Sequence, residues 1–185
     1  MTATPSANPP PRLAVETVER FRAGDLADLC RATRAMIEEG EDSSFSGAPT
    51  QERLAAFWQG VVLAPHRTLV IGRVDKVIAG AFQLVRAGPL SEIGPYVAEI
   101  ANFFVAPWGR GLGLAQRLLE EAEAIARAKG VRILDLSVRA SRTRAIARFE
   151  AQGYRRWAEK KHFALVDGHF VPGYFYSKAL DGEAP

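Results

Sequence analysis

The sequence predicts an α/β domain built on one mixed, mostly antiparallel sheet, in the order β-α-α-β-β-β-α-β-α-β-β. Two observations carry that expectation. Short apolar runs at strand spacing follow one another across hairpin-length turns. One run of strand, glycine-rich loop, helix and strand requires a crossover, and a crossover forces one parallel pair.

The elements follow in chain order. The first residues are rich in proline, with Pro9 to Pro11 consecutive, and read as a disordered arm over 1–12. Leu13, Val15 and Thr17 alternate with their neighbours and predict a first strand. Gly24 and Asp25 open a helix carrying Leu26, Leu29, Cys30, Thr33 and Ile37, and Gly40 ends it. A polar connection leads to Thr50, which caps a second helix with Leu54, Phe57, Trp58 and Val61 on one face. Arg67 to Arg73 and Val77 to Arg86 form a hairpin, and Tyr96 to Val105 is a long strand. Gly109, Gly111 and Gly113 lead into a helix over Leu114 to Lys129, closed by Gly130. A strand over Arg132 to Val138 and a helix over Thr143 to Gln152 come next. The last two strands, near Trp157 to Leu165 and Phe170 to Leu180, are joined by Asp167-Gly168, a strong hairpin signal. Residues 13–181 read as one domain and 182–185 as a tail.

Composition excludes several classes. The chain has 185 residues, 48% hydrophobic and 24% charged, which is ordinary for a globular protein. A single cysteine, Cys30, builds neither an internal disulfide nor a structural zinc site, and His66, His162 and His169 stand at no ligand spacing. No metal site is therefore expected. No apolar run reaches the length of a membrane helix, and the first residues lack the charge and apolar core of a secretory signal, so a cytoplasmic location is expected. A net charge of +3 is too small to call for nucleic acid. The basic residues are nevertheless crowded, with Arg139, Arg142, Arg144, Arg148, Arg155, Arg156, Lys160 and Lys161 in one stretch. Such a cluster is either a solvated face or a seat for a polyanionic small molecule.

The segment from Val105 to Ala115 carries the chemistry. A helix N-terminus offers unpaired N–H groups and partial positive charge to an anion. Gly111 and Gly113 let the backbone approach a phosphate, and Arg110 adds a forked cation. A tight turn alone would also call for glycine. A P-loop is excluded because Gly-Lys-Ser/Thr is missing. A dinucleotide fingerprint fails at its last position, where Leu114 or Gln116 stands, and no second βαβ half follows.

Arg110-Gly111-Leu112-Gly113-Leu114-Ala115 is similar to R/Q-x-x-G-x-G/A, the pyrophosphate loop of the GNAT acyltransferase superfamily. Ala145, Phe149, Gly153 and Tyr154 resemble its later motif N-x-x-A-x-x-x-Y-x-x-x-G-F, and the element order matches from about Leu13 to Leu180. The resemblance implies a sheet whose fourth and fifth strands splay apart to take coenzyme A. It implies acetyl transfer from acetyl-CoA to a primary amine of a small molecule or peptide, by direct attack in a ternary complex. Phe104 and Val105 would hold the pantetheine and the thioester carbonyl. The N–H groups of Arg110, Gly111, Leu112, Gly113, Leu114 and Ala115 would hold the pyrophosphate. Arg142 stands where the motif has asparagine and either reaches the cofactor or faces solvent.

Amine acylation requires a base for the acceptor ammonium and is helped by an acid for the departing thiolate. The family often supplies the acid as a tyrosine at the position of Phe149, which has no proton to give. Tyr174 and Tyr176 are possible substitutes. Glu99 is the candidate base, the alternative being a strand-edge glutamate paired with an arginine. In a regular strand Glu99, Phe103 and Val105 share a face, and a bulge would break that parity. Asn102 is read as a structural amide. Glu38, Glu39, Glu41 and Asp42 suggest a cationic acceptor such as a polyamine, amino-sugar, lysine or protein N-terminus, or else a solvated loop. Trp108, Phe103 and Phe45 are candidates for an apolar acceptor wall, the alternative and commoner role of aromatics at such places being core packing. Rival readings are a non-catalytic CoA-binding module and an acyltransferase using another acyl-CoA. A homodimer through the last strands is a further expectation.

Overall fold

The computed structural model describes residues 10–39, 49–88, 94–166 and 168–182. The expected proline-rich arm up to Pro9, the acidic connection with Glu41, Asp42 and Phe45, and Asp167 lie outside the described residues. The elements are β1 (Leu13–Val18), α1 (Asp25–Glu38), α2 (Gln51–Leu63), β2 (Arg67–Val74), β3 (Val77–Arg86), β4 (Val97–Val105), α3 (Leu114–Ala128), β5 (Ile133–Arg139), α4 (Thr143–Ala151), β6 (Arg155–Val166) and β7 (His169–Ala179). One 3-10 turn, Pro107–Gly109, links β4 to the glycine loop. The strands form one sheet in the order β1-β2-β3-β4-β5-β7-β6. Only β4 and β5 run parallel. The predicted mixed sheet is thus the observed one.

Each face of the sheet has its own core. Leu114, Leu118, Leu119 and Ala122 of α3 and Phe149 of α4 pack on Phe82, Leu84, Ile100, Leu134, Leu136 and Val138. Leu29, Cys30 and Met36 of α1 and Leu54 and Trp58 of α2 pack on Leu69, Ile71, Ile78, Ala81 and Phe104. Burying each large apolar side chain contributes about 1.5–3 kcal/mol. The Thr50 hydroxyl accepts from the Arg53 N–H at the start of α2, as its position predicts. Gly24 starts α1 in the left-handed region at φ 87°, and the buried Asp25 carboxylate takes the Arg73 guanidinium at 2.8 Å. Arg73 also holds Glu16 at 2.7 Å, so one arginine of β2 anchors both β1 and α1.

A bulge in β4 shapes everything that follows. Ala81 pairs with Phe104 and Gln83 pairs with Ala101, so Phe82 opposes both Asn102 and Phe103. Asn102 takes φ 50°, a left-handed conformation that asparagine tolerates better than most residues. Its side-chain oxygen accepts from Gln83 Nε2 at 2.9 Å, and the Gln83 oxygen accepts from Arg67 at 2.6 Å. Gln83 is fully buried, so this pair fixes the extra residue in place. The structural amide expected at Asn102 is thus accounted for. The bulge corrects the regular-strand expectation. Ile100, Phe103 and Val105 belong to the α3–α4 face, whereas Phe104 belongs to the α1–α2 face. Alternation then puts Glu99 on the α1–α2 face with Phe104, not with Phe103 and Val105.

Candidate active site

The parallel ladder stops just before the bulge. Its last pair is Ile100 with Leu136, after which β4 follows β3 and β5 follows β7. The splay opens a cleft with two lobes. The larger, about 440 Å³, is lined by Phe104, Val105, Arg110, Gly111, Gly113, Leu114 and Ala115 on one side. Its other wall brings Ser141, Arg142, Thr143, Arg144 and Arg148 from the start of α4. The smaller, about 210 Å³, is lined by Glu99, Ser137, Arg139 and Phe149, with Met36 and Phe57 from the α1–α2 layer. Met36, Phe103, Phe104, Arg142 and Ala145 line both, so the lobes are continuous.

The larger lobe is strongly basic. Four of its described lining residues are arginines and none is acidic. Gly113 caps α3 at φ 85° and Gly111 has φ 74°, and a Cβ at either would meet nothing within 4 Å. The first N–H groups of α3 are thus open to the lobe, with the positive end of the helix dipole behind them. Gly109 is different. A Cβ there would stand 2.9 Å from the Ala79 Cβ and 3.0 Å from the Ala79 carbonyl oxygen, so this glycine serves packing. All three glycines line the lobe, but only Gly109 has its Cβ position filled by neighbours. Of the predicted loop residues, only Leu112 does not line the lobe. Arg110 is held by Glu39, just past the end of α1, at 2.5 Å.

The basic stretch divides likewise. Arg139, Arg142, Arg144 and Arg148 line the cleft, whereas Arg155, Arg156, Lys160 and Lys161 lie exposed along β6. Arg144 and Arg148 belong to the basic stretch that the sequence offers as either a solvated face or a seat for a polyanion. Their spacing of four residues on a predicted helix was the available signal.

Glu99 lies at the Asp135 level of the parallel pair, reached by solvent through the smaller lobe. The surrounding walls desolvate its carboxyl and the Asp135 charge adds to this, together raising its pKa above the usual glutamate range, while Arg67 pulls it down. Asp135 is in turn bonded by the Ser177 hydroxyl at 2.5 Å. Phe149 is buried at the lobe wall, its ring edge-on to Phe103 at 5.8 Å and to Tyr154 at 6.1 Å. The substitute acids are placed elsewhere. Tyr176 donates to Glu150 at 2.9 Å, and desolvation and that bond push its pKa up to about 12. Tyr174 lies under the Arg156 guanidinium at 4.3 Å. Neither lines the cleft. Trp108 also lies outside it, donating to the Ile78 carbonyl with Arg31 over its ring. His162 lies exposed against Phe170 on the final hairpin. Among the described residues, no helix is long and apolar enough to cross a membrane.

A splayed parallel pair, a glycine loop at a helix N-terminus and a carboxylate beside the gap define an acyltransferase cleft. The family model "Acetyltransferase (GNAT) family" matches residues 34–154. The chain belongs to that family and is an acyltransferase. An uncharacterised N-acetyltransferase of Azospirillum brasilense is 39% identical over 136 residues, covering 74% of this chain and 81% of the relative. An N-acetyltransferase from Staphylococcus aureus superposes with a TM-score of 0.77 at 17% identity, covering 91% of this chain and 99% of the other. A putative acetyltransferase from Salmonella typhimurium, solved with its cofactor acetyl-CoA, superposes at 0.73 and 15% identity, covering 94% and 96%.

Proposed function

We propose that this protein transfers an acetyl group from acetyl-CoA to a primary amine of a small molecule or peptide, by direct attack in a ternary complex. The observation that carries this is the continuity of a lobe with four arginines and no acidic residue among its described lining with a second lobe that presents Glu99. The residues fit coenzyme A. N–H groups from Arg110 to Ala115 suit a pyrophosphate, and Gly111 and Gly113 leave the space it needs. Arg142, Arg144 and Arg148 supply further cations on the facing wall. The backbone of Phe104 and Val105, past the last β4–β5 pair, suits pantetheine. The acetyl-CoA in the Salmonella relative supports the same reading.

Acetyl-CoA supplies the activated acyl carbon. Glu99 takes the proton that the acceptor ammonium must lose before it attacks. A carboxyl with a raised pKa holds that proton better than an ordinary one. Strand N–H groups at the splay polarise the thioester carbonyl. Phe149 supplies no proton and shapes the apolar wall. It also favours a second reading, a CoA-binding module without turnover. A cytoplasmic location is part of this proposal. A homodimer through β6 and β7 accords with Trp157, Leu165 and Phe170, which stand exposed on that hairpin.

Calorimetric titration with acetyl-CoA, with NAD as comparison, tests the cofactor. Micromolar acetyl-CoA binding and no NAD binding are expected, and failure to bind acetyl-CoA refutes the reading. Thiol release across a panel of amines then separates enzyme from sensor, because a sensor releases none with any amine.

A further inference from the structure

We propose that the acceptor is an amino acid type of zwitterion, its carboxylate held by Arg139 and its amino group directed toward Glu99. This rests on the acyl-transfer reading of the cleft.

Arg139 ends β5 and is the only buried arginine among the described residues, at 5% exposure, yet it lines the smaller lobe. Burying a guanidinium is costly unless anions and acceptors meet it. Its planar fork of several N–H donors matches a carboxylate in two-point fashion.

The register places it relative to Glu99. Leu134, Leu136 and Val138 point into the α3–α4 core, so Asp135, Ser137 and Arg139 point to the other face, the face of Glu99. Glu99 is level with Asp135, and Arg139 lies four residues further along β5. At about 3.3 Å per residue the two backbones are offset by roughly 13 Å. Both residues line the smaller lobe, so a small molecule carrying both charges and seated there would meet the two of them. On β7, Gly173 pairs with Arg139, and the Phe163 ring fills the space a Cβ there would need.

The rest of the lobe offers little else polar from the helix layer. The Trp58 N–H is engaged by the Thr33 hydroxyl oxygen, and that hydroxyl donates to the Leu29 carbonyl. Met36 and Phe57 add apolar surface. A cavity of about 210 Å³ suits a small acceptor with a modest apolar side chain. A polyamine would bring positive charge against Arg139 and Arg142, and a peptide N-terminus lacks the adjacent carboxylate. The lobe thus argues against the cationic acceptors that the acidic segment suggests.

The test uses the full chain with acetyl-CoA and follows thiol release with matched pairs: L-methionine against L-methioninamide, L-leucine against L-leucinamide, and spermidine for comparison. A charged hydrogen bond is worth ~1.5–3 kcal/mol, so the acids should exceed the amides in kcat/KM by roughly 10- to 150-fold. Arg139→Gln should remove that preference, bringing acid and amide together, while the acetyl-CoA Kd stays within about twofold. Arg139→Lys should keep part of the preference, having the charge without the fork. Amides or spermidine used as well as the acids would overturn the proposal. So would an equal loss for acid and amide in Arg139→Gln, or acetyl-CoA binding with no acid turned over. The wild-type comparison stands even if the variants do not fold. Absence of acetyl-CoA binding would instead refute the acyl-transfer reading beneath it.

Discussion

Replacing Gly109 and Gly113 separately by alanine should divide stability from cofactor binding. At Gly109 an added Cβ stands 2.9 Å from the Ala79 Cβ and 3.0 Å from its carbonyl oxygen and from Val105 Cγ1. One neighbour is backbone and the others are packed, so the loop must shift. Overpacking of this kind costs about 1–3 kcal/mol. For a chain of this size that lowers the melting temperature by roughly 2–4 °C per kcal/mol. At Gly113 the Cβ meets nothing, but φ 85° is a left-handed conformation. Holding alanine there costs on the order of 1 kcal/mol. The new methyl group stands where an anion must approach the helix N-terminus. Loss of one charge-assisted N–H bond raises the acetyl-CoA Kd by roughly 10- to 150-fold. Thermal unfolding and calorimetry, both below the lowered melting temperature, read the two quantities. Gly109→Ala should keep its Kd within about threefold, and Gly113→Ala should not. Gly113→Glu should abolish binding in a folded protein, because a carboxylate then faces the anion. Micromolar binding by Gly113→Glu, or a larger affinity loss at Gly109 than at Gly113, would refute the assignment of the loop.

Glu99→Gln should lower kcat/KM by on the order of 100-fold, erase the acid limb of its pH profile and leave acetyl-CoA affinity unchanged; an unaltered profile removes Glu99 as base. Its folded pKa is raised, so the native state holds the proton longer than the unfolded chain, and ionisation lowers stability as pH rises from the usual glutamate range through the raised value. Glu99→Gln should therefore gain stability over wild type across that window, read by melting temperature against pH. Phe149→Tyr places a hydroxyl at the lobe wall and should raise kcat while adding a basic limb; an unchanged rate would show that protonation of the thiolate is not limiting. Glu39→Gln releases Arg110 from a partly exposed ion pair worth ~0.2–1 kcal/mol, so acetyl-CoA should bind up to roughly fivefold more tightly, and weaker binding would mean that Glu39 positions the loop instead. Gln83→Leu leaves Asn102 and Arg67 short of a partner and should cost about 1–3 kcal/mol in chemical unfolding, with loss of activity exceeding loss of fold.

Local periodicity made most of the fold legible. The turn at Asp75 and Lys76, the Thr50 cap and the glycine ends of the helices each act through neighbours in sequence. The glycine loop at the start of α3 was legible for the same reason, because it is written in consecutive residues. The bulge was not. It depends on Gln83 bonding to Asn102 across two strands, a contact without a local signature. Its consequence, that Glu99 and Phe104 share a face, was therefore beyond strand parity. Trp108 stayed open between pocket wall and core, because an aromatic residue beside a glycine loop looks the same in sequence whether it lines a pocket or braces β3. Arg139 read as one charge among many, and only burial separates it from Arg155 and Lys160.

On the proposed reading the splay does more than admit a cofactor. The smaller lobe is lined by Met36 and Phe57 from one face of the sheet and by Ala145 and Phe149 from the other. The space therefore passes through the sheet, between β4 and β5 where their ladder has ended. A gap open to both faces lets two reactants enter from opposite sides and meet in the plane of the strands. Glu99 marks the entrance on the α1–α2 side, and the glycine loop marks the approach to α3. The bulge at Asn102 keeps both accounts consistent, since it lets Phe103 and Phe104, adjacent in sequence, serve opposite faces while both line the same gap. Such a gap accords with direct attack, which needs both reactants present together. It also makes Gln83, a buried residue that lines neither lobe, a residue on which the shape of the reaction space depends.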